Sequence, residues 1–367
     1  MIRAQGGDVS EFHIINAGQF RILLNAYELR ERGVVHARNC MCERAASQIK
    51  IFFRFFTKES IQDRGIMRYK IDIPATTANL GPGFDCIGLA LDWWNTIQVE
   101  PAETLCVKLR GLTENIPADA SNMTLENMRC FFERIGKPTP SVKITMTNRI
   151  PIGRGLGSSA AALVGGLVAG NLLAGEPLSR FELLELANEL EGHPDNVSAA
   201  LFGGFTVSTF EGARVTSASV EPPRAWRAVL FIHDHALSTK YAREILPKKI
   251  ARADAVHNIG RAALLTFAFL TENVELLAVG MQDRLHQPYR EHLVQGMPEL
   301  LAAARAAGAG GAALSGAGPS LLALASSPQR AARVRDAMRD TARRLRVNGE
   351  TYIVKLSVDG ARVTPLK

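Results

Sequence analysis

Residues 151–161 read Pro151-Ile152-Gly153-Arg154-Gly155-Leu156-Gly157-Ser158-Ser159-Ala160-Ala161, three glycines at alternate positions followed by a hydroxyl pair and an apolar run. A backbone so rich in glycine can wrap closely around an anion. If a helix opens after it, free N–H groups and the positive end of the helix dipole face the same point. That is phosphate-binding chemistry. The loop is not a Walker A motif, because no Gly-Lys-Ser/Thr closes it. It is not a dinucleotide fingerprint either, since Ser-Ser stands where the third glycine would be. The glycines alone fit a structural turn equally well; the two hydroxyls, suited to Mg²⁺ or phosphate oxygens, favour a nucleotide site.

The loop resembles the phosphate-binding motif of the GHMP kinases, the superfamily of galactokinase, homoserine kinase and mevalonate kinase. Two further segments agree with it in order and spacing, Glu191-Gly192-His193-Pro194-Asp195-Asn196 and Leu314-Ser315-Gly316-Ala317-Gly318-Pro319-Ser320. Within that superfamily, Pro74-Ala75-Thr76-Thr77-Ala78-Asn79-Leu80-Gly81-Pro82-Gly83-Phe84-Asp85-Cys86-Ile87-Gly88-Leu89-Ala90-Leu91 resembles the homoserine kinase family. Sugar and mevalonate kinases usually carry a basic residue before this turn and a Gly-Glu-His-like sequence after it, and neither is present. A plain turn explains Gly81-Pro82-Gly83 but not Asn79 and Asp85, which bracket it.

The resemblance implies a role for each matching residue. Asn79 would bond the reacting hydroxyl, and Asp85 would hold the ammonium group of an amino acid. Arg243, in Ser238-Thr239-Lys240-Tyr241-Ala242-Arg243, and Arg290, in Gln287-Pro288-Tyr289-Arg290, would take its carboxylate, for which guanidinium forks are the geometric match. ATP would lie over Pro151, Ile152, Gly153, Arg154, Gly155, Leu156, Gly157, Ser158, Ser159 and Ala160, with Mg²⁺ bound through Ser159 and Glu191. Thr239 would donate toward the γ-phosphate. Asp195 is a candidate base, but the basic partner it has in mevalonate and galactokinase relatives is replaced by Thr-Thr-Ala-Asn. Asp195 and Asn196 then serve either as base and substrate contact or as organisers of the site, with the proton leaving through phosphate or water. His193 reads as a satisfied structural histidine. The 315–320 turn would close the site between two domains.

The expected activity is ATP-dependent phosphorylation of the L-homoserine hydroxyl, giving O-phospho-L-homoserine and ADP, a step of threonine biosynthesis. Two competing readings are a GHMP kinase for another small alcohol and a non-catalytic metabolite-binding member. The resemblance also suggests a homodimer.

Composition narrows the partners. The chain has 367 residues, 47% hydrophobic and 22% charged, with net charge +7. That is ordinary for a soluble protein of two domains. No compact basic stripe interleaved with aromatics points to nucleic acid, and the arginines of 330–346 read as the solvated face of a helix. No apolar run approaches the ~18–20 residues of a membrane span. Cysteines 40, 42, 86, 106 and 130 form neither a zinc pattern nor a disulfide framework, which fits a reducing cytoplasm.

The elements that must position these residues alternate. Strand-like runs are 68–74, 97–100, 106–109, 142–147, 228–233, 312–314, 321–325 and 352–357. A long apolar helix follows the glycine loop to Leu173, its Ala and Gly suited to close packing on a sheet. Ser179 is the expected N-cap of 181–190, with Glu182 completing a capping box. Helices are also expected over 254–270 and 330–346, and Glu221-Pro222-Pro223 is the expected linker. This mixing is an α+β pattern. The resemblance makes it specific: a two-domain GHMP kinase fold, with a ribosomal protein S5 domain 2-like N-terminal domain over 67–221 and a ferredoxin-like C-terminal domain over 222–367. Residues 1–66 read differently. We take them as translated upstream sequence or a poorly ordered extension before a natural start at Met67, with an appended interaction segment as the alternative.

Overall fold

The computed structural model describes residues 68–366 and the two-residue strand Phe20–Arg21. The expectations for the rest of 1–67, including the start at Met67 and the Cys40/Cys42 pair, lie outside the described residues. Two sheets organise the chain. The first is eight-stranded and is built on a long antiparallel hairpin, Arg68–Asn79 with Gly83–Pro101. Phe205–Glu211 and Val142–Asn148 add to its second strand, and Cys106–Gly111 lies parallel to Val142–Asn148. Val142–Asn148 alternates buried and half-buried residues, the period expected of a strand with one covered face.

Helix Ser158–Leu173 lies against this sheet and is buried nearly all round, so it shows no amphipathic stripe. Its glycines permit that packing in two directions. A side chain at Gly165 would strike Ile97 on the sheet. At Gly166 it would come within 2.3 Å of the Thr124 carbonyl, and at Gly170 within 2.6 Å of the Phe131 ring. The small residues therefore serve close contact with helix Met123–Arg134 as well as with the sheet. Helix Arg180–Glu191 carries the expected capping box, with Ser179 Oγ accepting from Glu182 N and the Glu182 carboxylate from Ser179 N.

The second sheet is four-stranded and antiparallel, in the order Gly349–Lys355, Arg227–His233, Leu321–Ala325, Gly311–Leu314. Arg227–His233 is covered on both faces. Val229 and Phe231 pack with helices Met297–Ala306 and Pro328–Leu345, while Ala228, Leu230 and Ile232 join the main core with Leu265 and Phe269 of helix Arg252–Leu270. The sequence pattern does not show one connection: Arg362–Leu366 crosses back to pair with Arg68–Asp72 of the first sheet. A division at residue 221 thus separates the sheets but not the last strand. Among the described residues, no helix is long and apolar enough to cross a membrane.

Candidate active site

The glycine loop meets the edges of both sheets. Gly153, Gly155 and Gly157 take φ of 65°, 70° and 68°, the left-handed region where a side chain is costly. Two of them are also required by their neighbours. A Cβ on Gly155 would lie 2.3 Å from the Ser315 carbonyl, and one on Gly157 would lie 1.9 Å from Thr76 Oγ1. Ser315 Oγ donates to the Gly155 carbonyl at 2.6 Å, so the second glycine turn buttresses the first. Gly157 is the N-cap of Ser158–Leu173 and supplies no side-chain capping bond. The first N–H groups of that helix therefore point at the loop without a side-chain acceptor, the donor set a phosphate chain needs.

These elements enclose a cleft of about 270 Å³. It is lined by every residue from Ile152 to Ala160 and by Asn79, Asp85, Glu191, Asp195, Asn196, Thr239, Arg243 and Arg290. Pro151 is the exception. It borders a separate hollow with Ile232 and Tyr352.

At the far end of the cleft the side chains are already paired. Arg243 grips Asp85 with both terminal nitrogens, at 2.7 and 2.8 Å. That hydrogen bond pushes the Arg243 pKa above its usual value against the opposing effect of burial. Arg290 is only 1% exposed and donates from Nε to the Ala242 carbonyl at 2.8 Å. Burial, then the nearby Arg243 charge, lowers its pKa to about 10, leaving it cationic at pH 7. Phe84 lies beneath both guanidinium groups, 5.3 Å from Arg243 and 5.5 Å from Arg290, a cation–π spacing. Asn79 has φ 68° and bridges the halves of the molecule. Its Nδ2 donates to the Gly316 carbonyl, and its Oδ1 accepts from Asp85 N, leaving one N–H and one lone pair free to face the cleft.

Between the two ends stand Asp195, Asn196 and Glu191. His193 Nδ1 lies 2.7 Å from Asp195 Oδ1, which also accepts from Asn196 N at 2.7 Å. Burial disfavours a charged His193, but the bond to Asp195 and the charges of Asp195, Asp85 and Glu191 outweigh it and raise its pKa. His193 thus stands beside Asp195, where the sequence Thr-Thr-Ala-Asn offers no basic side chain. Thr76 Oγ1 donates instead to Asn196 Oδ1 at 2.8 Å. Thr239, exposed at the cleft edge, opens the short helix capped by Ser238.

Two groups suit a divalent cation. The Glu191 carboxyl has its pKa raised by burial and makes no hydrogen bond or ion pair among the described residues. Ser159 Oγ has only the weak acceptor Met123 Sδ at 3.5 Å. A desolvated carboxylate and a hydroxyl beside a phosphate loop are hard oxygen donors of the kind Mg²⁺ takes alongside its waters. Asp85, His193 and Asp195 also approach one another within 4.8 Å, but the Arg243 fork and the His193 bond already occupy them.

Comparison with known proteins places this geometry. Residues 122–204 match the GHMP kinases N terminal domain, and residues 267–344 match GHMP kinases C terminal. The homoserine kinase of Desulfitobacterium hafniense is 46% identical over 295 residues, covering 80% of this chain and 99% of that protein. The chain belongs to the homoserine kinase family. The homoserine kinase of a Synechococcus strain is 42% identical over 301 residues, 81% of this chain and 98% of that one. The crystal structure of homoserine kinase from Cytophaga hutchinsonii matches with a TM-score of 0.74 at 30% identity, over 84% of this chain and all of that one. A mevalonate kinase structure, 16% identical with a TM-score of 0.55, shares the fold alone. The architecture is therefore the two-domain GHMP kinase fold of mixed α and β elements.

For this homoserine kinase family member, sequence reasoning missed two groups of residues. Ile97, Ile116, Pro117, Met123 and Met146 form an apolar wall of the cleft beyond the glycine loop. They come from four separate segments and share no spacing. Phe84 and His286 lie behind Arg243 and Arg290; Phe84 is within the 74–91 motif next to Asp85, and His286 is one position before the Gln287–Arg290 segment. The aromatic beside Asp85, and the histidine four residues before Arg290, were the available signals.

Proposed function

We infer that the chain transfers the γ-phosphoryl group of ATP to the hydroxyl of L-homoserine, yielding O-phospho-L-homoserine and ADP, a step of threonine biosynthesis. The observation that carries this reading is one cleft with two unlike ends, an uncapped glycine loop at one and Asp85 with Arg243 and Arg290 at the other. A zwitterionic amino acid needs an anion for its ammonium group and guanidinium forks for its carboxylate. A mevalonate-type acid would leave Asp85 without a use.

Phosphoryl transfer asks the protein mainly for alignment and charge neutralisation. The loop 152–160 binds the phosphates through backbone N–H groups, and the apolar wall at Ile97, Ile116 and Met146 accepts the base. Ser159 and Glu191 hold Mg²⁺, which supplies neutralisation of charge on the phosphate oxygens. Asn79, fixed by Gly316 and Asp85, turns its remaining N–H and lone pair toward the homoserine hydroxyl. Thr239 donates toward the γ-phosphate. Asp195, with His193 bonded to it, receives or relays the hydroxyl proton, and Asn196 orders the same wall. The proposal includes a homodimer, which light scattering on the intact chain tests.

ADP release by the purified chain with ATP·Mg²⁺ and a panel of L-homoserine, mevalonate, galactose and shikimate tests the activity. Release dependent on L-homoserine supports it. Turnover of a different alcohol would retain the superfamily chemistry and discard the substrate.

A further inference from the structure

Behind Arg290 lies a residue that touches neither end of the cleft. His286 is fully buried, with Nε2 2.8 Å from the Gly81 carbonyl and Nδ1 3.2 Å from Arg290 Nη1. A carbonyl can only accept and a guanidinium can only donate, so the two partners fix the ring between them. The proton sits on Nε2, and the lone pair on Nδ1 faces Arg290. We propose that His286 is the positioning residue for Arg290, aiming its fork at the substrate carboxylate by tying it to the Gly81-Pro82-Gly83 turn. This rests on the reading that Arg290 receives that carboxylate.

The ring is itself held rigidly. The Asp283 carboxylate accepts from His286 N at 3.0 Å, Gln287 N at 2.7 Å and Leu285 N at 2.9 Å, which fixes the approach to the turn Gln287–Arg290. Asn258 donates to the same carboxylate at 2.7 Å and reaches the Pro82 carbonyl at 3.3 Å. Two carbonyls of the turn beside Asp85, Gly81 and Pro82, are therefore read from the other half of the chain, one by His286 and one by Asn258. The ring faces two charged groups directly, Asp283 at 3.6 Å from Nε2 and Arg290 at Nδ1, with Asp85 further away. Burial depresses its pKa against the opposing Asp283 charge, with the Arg290 charge adding to the effect, and so keeps the acceptor on Nδ1 available. A protonated ring would set N–H against N–H. Arg290, which has no carboxylate within ion-pair distance among the described residues, is thereby oriented by a neutral group and keeps its charge for an incoming anion.

The test uses the intact chain. A glutamine carboxamide reaches the place of Nε2 and can bond Gly81 but not Arg290. An asparagine reaches the place of Nδ1 and can accept from Arg290 but not bond Gly81. H286Q is expected to raise the KM for L-homoserine about tenfold and H286N about threefold, with the KM for ATP moved less than about twofold in both. In an Arg290→Lys background, adding H286Q should produce no further rise, because the two act as one unit. Equal effects of Gln and Asn, a parallel rise in the KM for ATP, or full persistence of the H286Q effect without Arg290 would overturn the proposal. The ¹⁵N spectrum of the wild-type imidazole is a readout independent of substrate. It should show the Nε2–H tautomer, with any midpoint below the ordinary imidazole value of 6.5. A proton on Nδ1, or a midpoint above that value, refutes the assignment whatever the enzyme phosphorylates. If the wild-type chain ignores L-homoserine while the spectrum is as expected, the functional reading fails and the His286 placement stands.

Discussion

On the proposed reading, the two ends of the cleft recognise charge by different means. The phosphate end is contiguous and is made of backbone: Gly153, Gly155 and Gly157 set its shape, and the donors are N–H groups that any residue would supply. The amino-acid end is discontinuous and is made of side chains, drawn from Asn79–Asp85, Arg243 and Arg290. Backbone donors carry only partial charge and can wait unoccupied. Full charges withdrawn from water cannot, because an unpaired buried ion costs several kcal/mol. Asp85 and Arg243 accordingly satisfy each other, and Arg290 is steadied by carbonyls and by Phe84. A zwitterion is the ligand that can replace such a pairing without leaving either charge exposed.

Four changes would break or sharpen this contrast. The largest effect is expected from Asp85→Asn, which removes the ammonium partner and leaves Arg243 uncompensated. It should lower kcat/KM for L-homoserine by about 10³-fold while leaving the KM for ATP near wild type. Comparable loss toward both substrates would mean that the two ends are not separable.

Glu191→Gln comes next, with about a 10²-fold fall in kcat and a rise in the Mg²⁺ concentration needed for half-maximal rate. Because burial raises the Glu191 pKa, the wild-type Mg²⁺ requirement should climb as pH falls, starting above the ordinary carboxylate value of 4.5, and the variant should lose that dependence. A pH-independent Mg²⁺ requirement in the wild type would remove Glu191 from the metal site.

Asp283→Asn concerns the support of the substrate end, and melting in denaturant should show a loss of about 2 kcal/mol. Burial opposes the ionised Asp283, yet the His286 ring once protonated in acid, and after it the Asn258 amide and the Gln287 and Leu285 N–H donors, hold its pKa below the ordinary 3.8. Its folded pKa is the lower one, so its contribution is complete above that ordinary value and disappears as pH falls through the folded value. The variant should flatten this acid limb of the stability curve, and an unchanged limb would show that Asp283 is not its source.

The smallest effect belongs to Ser179→Ala, which removes the capping box far from either end. It should cost about 1 kcal/mol of stability with kcat and both KM values unchanged. A kinetic change there would mean that helix Arg180–Glu191 transmits strain to Glu191.

The fold was legible where local chemistry decides it. The Ser179–Glu182 box appears as the sequence predicts, and so do helix Ser158–Leu173 and the strands around the second glycine turn. The Ile97–Glu100 strand proved to be the end of Gly83–Pro101, whose length is hidden by a register shift opposite Pro74 and Ala75. The return of Arg362–Leu366 to the first sheet was not legible, because strand pairing over such a separation leaves no local signal.

By itself the sequence determined the glycine loop, the turn between Asn79 and Asp85 and the two arginines as candidates, since each is a short motif whose chemistry is complete within a few residues. The tertiary structure alone decided that Asp85 faces Arg243, that His193 stands beside Asp195, and that His286 joins Gly81 to Arg290. It also decided why Gly155 and Gly157 must be glycine, since Ser315 and Thr76 leave no room for a side chain. The physical reason is the same in each case. Hydrogen bonds and excluded volume act over a few ångströms in space, and only the packed chain brings residues as distant in sequence as Arg68 and Leu366 within that range.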